Sequence, residues 1–207
     1  MHILHIDCSP RPDAHSRRLS AGIVERLKGH QPDATITRRD LGKSPIPHTQ
    51  AGYATMLSAP GALAGAQAQD AVQLSEQLIV ELESADVVVI GVPMNNFTVS
   101  SVFKAWIDQI LRMGRTIGVS ASGEKFGLLE DKQVYIGVAS GGVFAGEGAR
   151  QPDFLTPYVN AAFACVGLTS LLYLPLQATA FLDQEQLAAA SAALLENIDL
   201  SSLGPGR

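Results

Sequence analysis

A chain of 207 residues that is 46% hydrophobic can bury one sizeable core, so residues 1–207 are expected to form a single α/β domain. A net charge of −5 argues against nucleic acid or an anionic membrane as principal partner, and no apolar run approaches the roughly 18 residues that span a bilayer. Two cysteines, Cys8 and Cys165, lack metal-ligand spacing, and the amino end enters a strand instead of a leader; both features suit a reduced, cytoplasmic protein with no membrane insertion.

Residues 1–7 form a short apolar run and predict the first strand. A helix is expected over 16–28, with Leu19, Ile23, Val24 and Leu27 on one face. Residues 34–39 alternate in polarity and suit an edge strand. The stretch 41–65, rich in Pro, Gly, Ala and Ser, predicts a long excursion with short helical pieces. A helix over 70–84 then leads to the β-branched run 85–91, which reads as a central strand buried on both faces. Ser100 or Ser101 can cap a helix that carries Trp106 and Ile110, and Gly114 can end it. A Gly-rich stretch runs on to Asp131. Beyond it come a strand at 133–139, a helix over 152–166, a strand at 170–174 and an Ala-rich helix over 183–198. Five strands alternating with about five helices predict a three-layer, doubly wound parallel sheet.

In such a sheet ligands bind at the carboxyl edge, which focuses attention on two loops. After the first strand, Ser9, His15 and Ser16 offer donors that can join a helix N-terminus around a phosphate. Arg17 and Arg18 are electrostatically misplaced at a helix start unless an anion offsets the dipole. The same residues also suit an ordinary turn with Ser16 as N-cap and both arginines in solvent. After the third strand, Pro93, Met94, Asn95, Asn96 and Phe97 combine amides with apolar side chains suited to a flat heteroaromatic ring, or to a turn whose apolar residues fill the core. Ser140, Gly141 and Gly142 form a third loop where backbone can approach a ligand.

Taken together, the loops point to one phosphorylated ring, FMN. Neither a P-loop nor a G-x-G-x-x-G fingerprint is present. Trp106 reads as core or interface, and Cys8 as a buried bystander rather than a nucleophile. His2, His5 and Asp7 alternate along a strand and do not have the spacing of a metal site.

At these loops the chain resembles the FMN-dependent NADH:quinone reductase and azoreductase family, a dimeric branch of the flavodoxin-like proteins. The resemblance runs nearly end to end. It rests on Ser9, on His15-Ser16 with Leu19-Ser20, on the run from Ser84 to Phe97, on Phe103 to Asp108, and on Ser140-Gly141-Gly142 followed by Thr156-Pro157-Tyr158. It implies strand order 2-1-3-4-5 and FMN phosphate at Ser9, His15 and Ser16. It further implies the isoalloxazine on Pro93 to Phe97 with Ala139 to Gly142 at its border, and a homodimer formed partly by the second excursion. Asn95 stands where an aromatic residue is common, Ala139-Ser140 where Ser-Arg is frequent, and Phe144 where some members carry histidine; Asn95 and Phe144 are therefore expected to line the acceptor pocket.

The resemblance also implies a ping-pong reaction in which NADH or NADPH reduces the flavin at N5 and a quinone or azo compound then takes two electrons, with no obligatory catalytic side chain. Two other readings are a flavodoxin-type electron carrier, which need not bind nicotinamide, and a flavin-free phosphodiester hydrolase, for which the chain shows no nucleophile or metal set.

Overall fold

The computed structural model describes residues 1–59, 64–201 and 203. Its elements are β1 (His2–Asp7), α1 (His15–His30), β2 (Thr35–Asp40), α2 (Ala51–Ser58), α3 (Gly65–Ser84), β3 (Val87–Pro93), α4 (Ser101–Ile110), β4 (Ile117–Val119), β5 (Lys125–Gly127), β6 (Gln133–Ala139), α5 (Leu155–Ala164), β7 (Leu171–Leu176) and α6 (Gln184–Glu196). Five strands pair in parallel in the order β2-β1-β3-β6-β7, which is 2-1-3-4-5 when the strands of this sheet are counted alone. Helices lie on both faces, as the flavodoxin-like arrangement requires.

The central strands alternate between two cores. Leu4 and Ile6 of β1, Val88, Ile90 and Val92 of β3, and Val134, Ile136 and Val138 of β6 join the core beneath α3, α4 and α5. Ile3, Val87, Val89 and Tyr135 point the other way, toward α1 and α6. A strand covered on both faces has no polar side to solvate, which is why these segments read as unbroken apolar runs. β2 lies at the edge, as its alternation predicts. On α4, Phe103, Trp106, Ile107 and Ile110 form one buried stripe, with the Phe103 and Trp106 rings stacked 5.8 Å apart.

Several boundaries differ from expectation. α1 starts one residue earlier, so its N-cap is Ala14 and not Ser16. β3 runs on to Pro93, which therefore ends a strand instead of opening a loop. The long excursion contains α2, α3 begins at Gly65, and residues 60–63 of that stretch lie outside the described residues. The Gly-rich segment folds back as the β4–β5 hairpin, whose three-residue strands are too short to show a period. α4 ends at Ile110, before Gly114; α5 is shorter than its apolar pattern; and β7 extends through Pro175 to Leu176. α6 opens on an Asp183–Gln186 capping box. Among the described residues no helix is long and apolar enough to cross a membrane.

One glycine positions the helix that matters most. A Cβ on Gly91 would stand 2.6 Å from the Ser16 carbonyl oxygen and 2.6 Å from Ser20 Oγ, so the bare backbone is what lets the first turn of α1 lie against β3. Gly91→Ala is expected to force those elements apart and to cost about 1–3 kcal/mol of stability, the usual penalty of overpacking. Chemical denaturation checks this, with Gly137→Ala as a milder control because its Cβ would meet only the flexible Leu19 side chain, at 3.0 Å.

Candidate functional site

Parallel pairing brings the carboxyl ends of β1, β3 and β6 to one edge, with Asp7 opposite Gly91 and Pro93 opposite Ala139. From β1 the chain passes outward to β2 before crossing back to β3. The crevice at that change of direction is where such sheets bind ligands.

The loop from Cys8 to Ala14 leads into α1. Neither the Ala14 cap nor an acidic side chain in the first turn offsets the helix's positive end. Arg18 N–H donates to the Ala14 carbonyl, and among the described residues the N–H groups of His15, Ser16 and Arg17 have no recorded acceptor. Ser16 is fully buried and its hydroxyl has no partner. Free N–H groups beside an orphaned hydroxyl fit a dianionic phosphate. Ser9, also buried, accepts from Arg11 N–H at 3.3 Å, and its carbonyl passes so close to Gly42 that a Cβ there would lie 1.9 Å from the oxygen.

The geometry gives Arg17 a different place from a phosphate contact. Its Nε donates to the Ser9 carbonyl at 2.8 Å, and its two terminal nitrogens donate to the two Asp40 carboxylate oxygens. Behind it lies Asp7, with no exposed surface, receiving Arg38 Nη2 at 2.6 Å, Arg38 Nε at 3.1 Å and Ser20 Oγ at 3.0 Å. Burial pushes the Asp7 carboxyl up, but hydrogen bonds from His5, Arg38 and Ser20 and the His5 charge outweigh it and hold the group well below the usual carboxylate range. The Arg17 hydrogen bonds likewise lower Asp40. Cys8 is wholly buried, and burial together with the Asp7 charge pushes its thiol up, consistent with a bystander.

After Pro93 the backbone makes a tight reversal. Asn95 and Thr98 exchange two backbone hydrogen bonds of 3.0 Å each, and the residues between them are both left-handed, Asn96 at φ 47° and Phe97 at φ 70°. This is the pattern of a type I′ turn, which favours Asn first and Gly second; Phe in the second place is a strained exception. Asn95, Asn96 and Phe97 are exposed and Met94 is half-buried.

The 139–142 loop is joined to this turn by Met94 N–H donating to the Ala139 carbonyl at 2.9 Å. Ser140 is buried and Gly141 is open to solvent. Three residues that carried no sequence signal complete the rim. The Gln151 amide contacts Ser140 Oγ and Met94 Sδ, both at 3.1 Å; Phe154 N–H donates to the Phe97 carbonyl at 2.9 Å; and Gln177 Oε1 accepts from Phe144 and Ala145 N–H. Phe144, expected beside an acceptor, is 6% exposed and packs onto the core beneath this loop, with its N–H donating to Gln177 Oε1. Ser9, His15, Ser16, the 93–97 turn and the 139–142 loop thus share one edge; Arg17 serves behind it and Phe144 lies under it.

The flavodoxin-like fold family matches this chain over residues 1–198. The chain is 39% identical to an FMN-dependent NADH:quinone oxidoreductase of Pseudomonas fluorescens, over 99% of this chain and 95% of that protein. It is 38% identical to one from Nostoc punctiforme, covering 84% of this chain and 85% of the relative. An FMN-dependent NADH-azoreductase of Bacillus anthracis, solved in complex with FMN, shares the fold with a TM-score of 0.80 at 22% identity, covering 99% of both chains.

Asp7→Asn is expected to remove the buried acceptor of Arg38 and Ser20, while Arg17 keeps Asp40, and to lower stability by about 1–3 kcal/mol at neutral pH. Because the folded-state pKa of Asp7 is depressed, its contribution is fully present above the unfolded value and is lost as pH falls from there through the folded value. Denaturant midpoints measured from pH 7 down to pH 2 are therefore expected to converge for the two proteins only at the acid end.

Proposed function

We propose that this chain, which belongs to the flavodoxin-like family of FMN-dependent NADH:quinone oxidoreductases, passes two electrons from NAD(P)H to quinones and azo compounds. The observation that carries the assignment is the uncapped α1 N-terminus with its orphaned Ser16 hydroxyl, set beside the left-handed 95–98 turn. In this reading Ser9, His15 and Ser16 bind the FMN phosphate, while Arg17 braces the loop through the Ser9 carbonyl. Met94, Asn95, Asn96 and Phe97 bear the ring, and Ala139 to Gly142 close its border with backbone N–H groups. FMN held there supplies the hydride-accepting and electron-donating chemistry, in a ping-pong order in which NAD(P)H and acceptor use one site by turns. The side chains position, desolvate and hydrogen-bond; none is assigned a proton transfer.

In the same reading Asn95, exposed on the turn, and Phe144, packed beneath the Gly141-Gly142 loop, tune acceptor choice. A homodimer fits the large apolar side chains left in solvent at Val80, Met113, Phe126 and Leu128. A reducing cytoplasm fits two free cysteines.

The purified protein is expected to be yellow, to release FMN and not FAD on denaturation, and to be bleached by NADH and reoxidised by a quinone. A flavin-bound protein inert to both nicotinamides would be a carrier, and one that cannot be loaded with FMN would end the assignment. Ser9→Ala and Ser16→Ala are each expected to weaken FMN binding by about 0.5–1.5 kcal/mol, read by titrating apoprotein. Asn95→Tyr is expected to change the ratio of kcat/KM between a quinone and an azo dye more than it changes FMN affinity.

A further inference from the structure

Against the 95–98 turn, on the side of α4 and α5, lies a cavity of about 540 Å³ whose walls include Asn95, Asn96, Thr98, Ser101, Lys104 and Tyr158. Its chemistry is one-sided. The walls offer amides, hydroxyls, a phenol and an ammonium group, and no carboxylate lines them. The nearest acid identified on α4, Asp108, sits one turn further along and accepts one hydrogen bond from Lys104. An ammonium carries three protons, so Lys104 keeps donors to spare. Although burial opposes it, that bond to Asp108 raises the Lys104 pKa, and burial raises that of Tyr158, so both remain protonated donors at neutral pH.

The same cavity meets the start of α4. Ser100 is the N-cap and makes no side-chain capping bond; its hydroxyl is buried, with the residue 4% exposed, and has no partner. No acid occupies the first turn, and the helix ladder begins with Lys104 N–H donating to the Ser100 carbonyl at 2.9 Å. The preceding N–H groups therefore leave partial positive charge at the helix end that borders the lysine. By contrast, the larger groove of about 920 Å³ between the first loop and α6 mixes Arg11, His15 and Arg18 with Asp13 and Asp183, and Arg11 lies 3.5 Å from Asp13. Of the two, the α4 cavity is the one whose walls carry a cation and no carboxylate.

We propose that this cavity is an oxyanion subsite, which takes the carboxylate, sulfonate or phosphate of a ligand whose aromatic part lies on the adjoining turn. The proposal rests on the reading of that turn as the ring site. The shared chemistry has two sources: the anionic substituent of an aromatic acceptor, and the pyrophosphate of the nicotinamide donor. Lys104 is the charge that selects for either, and the turn amides and Tyr158 orient the oxygens.

The test uses the FMN-loaded protein and its Lys104→Met and Lys104→Arg variants. Benzenesulfonate and inorganic pyrophosphate are titrated separately while the side-chain amide signals of Asn95 and Asn96 are followed by NMR, with benzenesulfonamide as the neutral control. A saturable shift is expected with at least one anion, weakened about tenfold or more in Lys104→Met and restored in Lys104→Arg. In turnover, Lys104→Met is expected to raise KM for an anthraquinone sulfonate, or for NADH, while kcat with uncharged menadione and FMN content stay as in the wild type. A rise confined to the sulfonate assigns the subsite to the acceptor, and one confined to NADH assigns it to the donor pyrophosphate. Unshifted amides with both anions, or an equal rise in acceptor KM for charged and neutral acceptors with KM for NADH unchanged, overturn the proposal. If Lys104→Met fails to fold, the wild-type and Lys104→Arg titrations still decide it. Should the wild type prove inert to NADH, the anion titrations test the cavity independently of the redox reading.

Discussion

A carboxylate with no exposed surface has to be neutralised where it stands, and around Asp7 that requirement ties together the end of β1, the edge strand β2 and the first turn of α1. Arg38 arrives from β2 and Ser20 from α1, while Arg17, also from α1, passes 3.5 Å from Asp7 to reach Asp40 and the Ser9 carbonyl. Within this frame two acids are paired with two arginines, and the unpaired N–H groups of the helix N-terminus remain beside it. An arginine free to contact a phosphate would have left Asp40 unpaired and repelling the same anion. The arrangement thus commits its guanidinium groups to the frame, and the groups left unpaired at the loop are backbone N–H groups and the Ser16 hydroxyl. Surface pairs such as Arg115 with Glu83 do much less, since solvent screens them and each holds two long side chains in place.

What could be read from the sequence follows how local each cause is. The apolar runs of β1, β3 and β6 are set by burial on two faces, a property each segment carries by itself, and the strand order followed from them and from the resemblance. The position of the Ser9, 93–97 and 139–142 loops was legible for the same reason: each simply follows such a strand. The partner of Arg17 was not, because Asp40 is 23 residues away and belongs to a strand whose register decides the contact. Gln151 and Gln177 were silent for a similar reason; an isolated glutamine in a loop has no pattern, and its role exists only once Met94, Ser140 and Phe144 are near. The burial of Phe144 was not legible either, because its expected place came from the resemblance and its packing depends on the core that forms beneath the loop.

The site depends on opposite choices made along β3 and the turn that follows it. At Gly91 the side chain is absent, and what is gained is closeness: the first turn of α1 can press on the strand at the edge of the crevice. At Phe97 a side chain is kept where the backbone disfavours one, since a non-glycine residue at φ 70° costs on the order of 1 kcal/mol or more. Glycine would relieve that strain, so turn chemistry does not explain the ring. The two Asn95–Thr98 hydrogen bonds and the Phe154 N–H on the Phe97 carbonyl hold the conformation in place, while the ring itself stays 44% exposed at the edge of the sheet. A strained backbone carrying an exposed aromatic side chain is stabilised little by the folded chain alone. A flat ligand that covers that ring would bury the apolar surface which folding leaves in water, and the binding energy would then offset the strain. The two sides of the crevice are therefore built on different principles: the α1 side by removing a side chain so that a helix start can pack closely, the turn side by straining the backbone to present a side chain.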